Sequence, residues 1–142
     1  MPSLIATAAG LIRDRFAAQV TTPESLTTVH DNVPNQTIPT SGRWCRLSLR
    51  MGLQEQLTVG GPQSGHFRTT GVALVQLFEP VGAGDGTQLE LVDAIVDAFR
   101  GVTLAGPPPI HFDPPYVSAP PTLDDGLWLL VVTIPFRIEE QV

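Results

Sequence analysis

Acid/base or metal chemistry in this 142-residue chain could begin at only three histidine sites: His30-Asp31, His66 and His111-Phe112-Asp113. In an extended segment, side chains two positions apart share a face, so His111 and Asp113 would point the same way, as a weak metal or proton-transfer pair. A loop histidine with a local hydrogen bond fits the same residues. None of the three sites has the spacing of a zinc motif or of a helical ligand pair, so no metal or cofactor is expected. Cys45 is the single cysteine. No internal disulfide can form, which fits a reducing compartment, and the alternation of Cys45 with Leu47 and Leu49 aims the thiol at a core rather than at an electropositive, exposed setting. The loop Gly82-Ala83-Gly84-Asp85-Gly86-Thr87 lies between a strand and a helix, the position of a phosphate cradle. No Lys-Ser or Lys-Thr pair follows it, however, and Asp85 sits where an anion would bind, so it reads as a connector with backbone freedom. The chain holds no catalytic constellation, and the expectation is that it is not an enzyme.

Charge excludes another class. The net charge of -6 disfavours tight nucleic-acid binding, which depends on Lys and Arg displacing counterions from phosphate. Every basic residue is Arg. The guanidinium fork suits fixed bidentate partners, and codon bias in a GC-rich genome accounts for it equally. Between Ser41 and Arg68 stand Arg43, Arg46, Arg50 and Arg68 against Glu55 alone, whereas from Glu79 onward ten acids face only Arg100 and Arg137. Two patches of opposite sign are what a head-to-tail ring could use, since a heterologous contact joins two different surfaces; ordinary solvated surface reads the same way. No signal peptide is visible, and the longest apolar run, around Leu127 to Val132, is too short to span a bilayer. A soluble, unsecreted protein without a membrane partner is expected, folded as one domain over 1–142.

These residues need elements to hold them. Leu4, Ile5, Ala8, Leu11, Ile12 and Phe16 recur at helical spacing, predicting an amphipathic helix from Leu4 to Ala18 opened by Ser3. A polar stretch from Thr21 to Gly42 follows, interrupted by a short strand near Leu26 to His30. From Arg43 to Met51 the apolar Cys45, Leu47, Leu49 and Met51 alternate with Trp44, Arg46, Ser48 and Arg50, the pattern of a strand with one polar face. Glycines 52, 60, 61 and 65 bracket Gln54, Glu55 and Gln56 before a β run from Phe67 to Phe78, which makes a long hairpin with a mobile tip. Thr87-Gln88-Leu89-Glu90 reads as a capping box opening a helix through Leu91, Ile95 and Phe99 that ends at Gly101. The prolines of 107–121 leave room only for a short or edge strand near Ile110 to Phe112, on a segment expected to wrap the surface. After Asp124-Asp125-Gly126, a central strand places Trp128, Leu130, Val132, Ile134, Phe136 and Ile138 on one face, with Trp128 in the core and Trp44 as the surface tryptophan. The fold class is α+β: an antiparallel or mixed sheet packed by two main helices.

Several of these segments resemble the tail terminator-like family of long-tailed bacteriophages. The resemblance lies in Trp44 opening a strand, in Gly71-Val-Ala-Leu-Val-Gln-Leu-Phe-Glu-Pro80 leading into Gly82 and Gly84, in the helix Leu91 to Gly101, and in Trp128 through Pro135-Phe136-Arg137. It implies a virion protein that assembles as a ring, usually of six copies, on the last disc of the tail tube, halting polymerisation and meeting the head connector. The partners would be the protein itself, the tube protein and the connector or stopper, at the head-proximal end of the tail, with assembly in the host cytoplasm. An acidic ring could also pass DNA without holding it. The candidate interface residues are Trp44, Arg46, Arg50, Gln54, Glu55, Gln56, Gln63 and Arg68. A head-completion stopper ring, and a cytoplasmic small-molecule binding domain or enzyme built around His111 and Asp113, stand as alternatives.

Overall fold

The computed structural model describes residues 4–23, 26–31, 36, 42–57, 65–82, 86–105, 109–118, 121–124 and 126–141. Ser3 and the hairpin tip, including Gln63, lie outside the described residues. Helix α1 spans Leu4–Phe16 and continues into one π-helical turn, Ala17–Thr21; helix α2 spans Gly86–Phe99. The strands are β1 (Thr27–His30), β2 (Trp44–Gln56), β3 (His66–Pro80), β4 (Thr103–Leu104), β5 (Ile110–Phe112), β6 (Tyr116–Val117), β7 (Thr122–Asp124) and β8 (Leu127–Gln141).

All eight strands join one mixed sheet in the order β1-β2-β3-β8-β5-β4, with β6 and β7 also paired to β8. Among the described residues only β1 is parallel to its neighbour. The long hairpin β2-β3 and the central strand β8 appear as their alternation predicts. The proline-rich segment does more than wrap the surface. It runs antiparallel along the outer edge of β8, pairing at Thr122–Asp124, Tyr116–Val117 and Ile110–Phe112. Pro114, Pro115 and Pro121 cannot donate to a ladder, so one long strand becomes three short ones. The register Asp124↔Leu127 leaves a two-residue turn, and Gly126 takes φ 78, a conformation that such hairpin turns require.

Both helices cover the same side of the sheet. Cys45 and Leu47 from β2, Ala73, Val75 and Leu77 from β3, and Leu130, Val132, Ile134, Phe136 and Ile138 from β8 form one cluster with Ile12, Phe16, Leu91, Ile95 and Phe99. Burying each of the larger side chains contributes about 1.5–3 kcal/mol. The two tryptophans exchange their expected places. Trp44 is 5% exposed, whereas Trp128, at the start of β8, is only half-buried. Trp44 is buried on the other side of the sheet, stacked on Phe78 with ring centroids 4.1 Å apart and planes 9° apart. Period-two patterning marks which residues share a face, but it does not tell which side chains of neighbouring strands cover them.

Two glycines permit the close packing at mid-sheet. A Cβ on Gly71 would stand 2.7 Å from Phe136 Cζ and 2.8 Å from the Arg50 carbonyl oxygen. A Cβ on Gly52 would stand 2.8 Å from the Thr70 carbonyl oxygen, at the point where the β2-β3 register slips between Met51 and Gln54. That slip is a β-bulge, and the isolated glycine is its signature. The strand therefore continues past Gly52 to Gln56 instead of ending at Met51. Gly71→Ala is expected to destabilise the protein by about 1–3 kcal/mol, because one clashing neighbour is backbone and cannot swing away. An unchanged urea midpoint in this variant would contradict the packing.

Candidate functional site

The sheet face opposite the helices carries no helix among the described residues; Trp44, Phe78 and Thr133 on it are buried, and Arg50 is exposed. The alternation that sends Cys45, Leu47 and Leu49 inward sends Trp44, Arg46, Ser48 and Arg50 outward, and pairing places Gln76, Leu74 and Val72 of β3 beside them, followed by Val131, Thr133 and Pro135 of β8. At one end Trp44, Phe78 and Val29 form a small second core with Leu127 and Leu129 packed against it. The Arg46 guanidinium lies 5.9 Å from the centroid of the Trp44 ring, a cation–π contact that steadies a charge over an aromatic floor. Arg50, four residues on, is exposed and borders an open groove of about 390 Å³ floored by Gly71, Val72, Pro135 and Phe136 and bounded on its far side by Asp113. Neither Arg46 nor Arg50 forms an ion pair among the described residues.

Beyond the bulge, β2, β3 and the end of β8 continue as a three-stranded arm. Gln54, Glu55 and Gln56 are exposed along it, and Leu53 at the bulge is 80% exposed. Gln54 Nε2 donates to Thr69 Oγ1 at 3.3 Å. Arg68 is engaged within the chain, donating from Nε and Nη2 to Glu139 Oε1 at 3.0 and 2.8 Å. Glu139 also lies 3.5 Å from His66 Nε2 and 3.8 Å from Arg137 Nε, while Arg137 Nη1 reaches Asp113 Oδ1 at 3.1 Å. Arg43 Nε lies 3.2 Å from Glu79. Thus the two stretches of opposite charge partly neutralise each other inside one molecule, leaving Arg46 and Arg50 as the basic pair of the open face.

Burial raises the carboxyl of Glu79 above its usual range, with Arg43 opposing. The Glu139 carboxyl is held below its usual range, first by the hydrogen bonds from Arg68. His30 is lowered by burial, then by Arg13 of α1, against the pull of Asp31.

The acid/base candidates do not converge. His111 Nδ1 pairs with Thr103 Oγ1 at 3.2 Å, and Asp113 is taken by Arg137. Among the described residues no group of three His, Cys, Asp or Glu side chains could hold a metal. Cys45 is fully buried, with its thiol pushed up to about 11 by burial. Helix α2 begins at Gly86, so Thr87 lies in its first turn rather than at its N-cap. Gln88, read as one member of a capping box, has a different task. It is fully buried, and its Nε2 donates to the carbonyls of Leu77 at 2.9 Å and Trp128 at 3.2 Å, tying α2 to the ends of β3 and β8. The signal was present: Gln88, Leu91, Ile95 and Phe99 share one helical stripe.

Known proteins bear on this arrangement. The phage tail terminator protein family model matches residues 9–136. This chain belongs to that family. It is therefore a structural protein of the phage tail, in a family that works in contact with other tail components. Eight chains of solved structures match its fold; one of them shares 17% identity, with a TM-score of 0.66 over 92% of this chain and 94% of that one. No curated protein matches it.

Two outcomes follow from the site. Native Cys45 is expected to resist iodoacetamide at pH 8 and to react after denaturation, as mass spectrometry would show; rapid native labelling would contradict its burial. Glu139 has a folded-state pKa below its unfolded value, so its stabilisation is present above the ordinary carboxylate range, near about 4.3, and is lost as pH falls through the folded value. Glu139→Gln should cost about 1 kcal/mol or less at neutral pH, with the gap from wild type shrinking toward pH 3 in urea titrations.

Proposed function

We propose that this protein forms a ring of six copies on the head-proximal end of the tail tube, ending tube polymerisation and presenting a surface to the head connector. The observation that carries the reading is the family match over 9–136, joined to a sheet whose second face carries no helix among the described residues and to a projecting arm. A protein that works by covering the end of a polymer needs broad surfaces rather than a pocket. Here the described residues supply an aromatic-floored basic strand and an exposed polar hairpin, while Arg43, Arg68 and Arg137 are paired with acids of the same chain.

In this reading Arg46 and Arg50 meet acids of the neighbouring subunit, with Trp44 acting from beneath to position Arg46. The arm residues Gln54, Glu55 and Gln56, with Gln63 beyond the described part of the hairpin, touch the tube or a neighbour. Arg68 shapes the arm through Glu139. The net charge of -6 suits a ring through which DNA passes without sticking, since like charge discourages binding. Assembly takes place in the host cytoplasm, and the protein ends in the virion.

Depleting the protein from a phage-producing culture and imaging particles by electron microscopy tests this role. Overlong tails lacking heads are expected. Tails of normal length beside unattached heads would move the role to a stopper ring, and unchanged virions would remove the assembly role altogether.

A further inference from the structure

Resting on the ring reading above, we propose that the open sheet face of one copy, through Arg46 and Arg50, docks on the outer stripe of helix α2 of the next copy, through Glu90, Asp93 and Asp97.

Exposed positions on α2 recur at Leu89, Glu90, Asp93 and Asp97, one side of the helix directed away from the sheet. Three of these four are acidic. Glu90 follows the first turn of α2, and Asp97 stands in the last turn, where negative charge is unfavourable. Its neighbour Arg100 lies 3.5 Å away in a pair whose side chains are 61% and 74% exposed, so it offers little local compensation. No ion pair engages Glu90 or Asp93 among the described residues. A stripe that is locally costly at Asp97 and whose Glu90 and Asp93 form no ion pair among the described residues has the charge to meet the basic pair of the open face.

Spacing agrees. Arg46 and Arg50 are four residues apart on a strand, about 13 Å at 3.3 Å per residue. Glu90 and Asp97 are seven residues apart on a helix, about 10.5 Å at 1.5 Å per residue. Long arginine side chains span the remaining difference, with Asp93 between them. Exposed Leu89 on the stripe and half-buried Val72, Leu74 and Val131 beside the arginines add apolar surface on both sides.

The two patches face opposite sides of the sheet. Neither can satisfy the other within one chain, and two rigid copies cannot make both contacts at once about a two-fold axis. The pairing is therefore heterologous: it propagates from copy to copy and closes into a ring when the rotation per step permits.

The test uses two charge-reversed full-length variants, Arg46→Glu/Arg50→Glu and Glu90→Arg/Asp97→Arg, with circular dichroism to confirm folding and native mass spectrometry to read assembly. Each variant carries like charges on both patches and should self-associate roughly 100-fold or more weakly than wild type. Mixed in equal amounts, the two should assemble again, in even-numbered particles of alternating composition. Variants that assemble alone as wild type does would overturn this pairing while leaving the ring intact. Wild type, variants and mixture all remaining monomeric would also overturn it, and tail length after depletion then judges the terminator reading separately.

Discussion

Phe136 stands where the layers of this protein meet. Its ring lies over Gly71 of β3, within about a van der Waals contact of the place a side chain would occupy. On its other side it meets Phe112 of β5 at 6.2 Å between centroids, and Phe112 meets Phe99 of α2 edge-on at 5.0 Å. One line of aromatic contact thus runs from the centre of the sheet to the last turn of the helix. Arg15 of α1 completes the layer by donating to the Ala98 carbonyl at 2.7 Å, a cation at a helix C-terminus. With both helices fixed on one side, the opposite face of the sheet carries no helix among the described residues.

That face is not simply polar. Its upper end closes on itself through the Trp44-Phe78 stack and the aliphatic residues around it. Its middle carries Arg46 and Arg50 among half-buried valines and leucines, and its lower end opens into the groove beside the bulge. The progression from dry to charged to grooved follows one strand, β2, whose outward residues have the two-residue period of any strand. A single uninterrupted β2 would have kept this order all the way to the hairpin tip. The bulge at Gly52 adds one residue and turns the arm, so that the surface beyond Met51 is presented separately from the surface before it.

Much of this was legible in residue order. The long hairpin, the helix ending near Gly101, the strand from 127 onward and the inward aim of Cys45 all follow from periodicity and turn chemistry, which are local. What was not legible is what depends on strand pairing. The burial of Trp44 depends on Phe78 and Val29, which strand pairing brings beside it on the face away from the helices. The pairing of Arg43 with Glu79, and of Arg68 with Glu139, depends on which strands lie side by side, so charge counted along the chain overstated the separation of the patches. Gln88 and Gly52 lie between these cases. The helical stripe and the isolated glycine both spoke for them, but a capping reading and a strand end were simpler.

The prolines along the outer edge of β8 carry one more consequence. An unbroken strand there would offer a long row of unpaired amide and carbonyl groups on its far side, a template on which further chains could add without limit. Three short segments separated by residues without an amide hydrogen offer no such row. A structural component of the phage tail thus has an edge poorly suited to seeding a filament of its own.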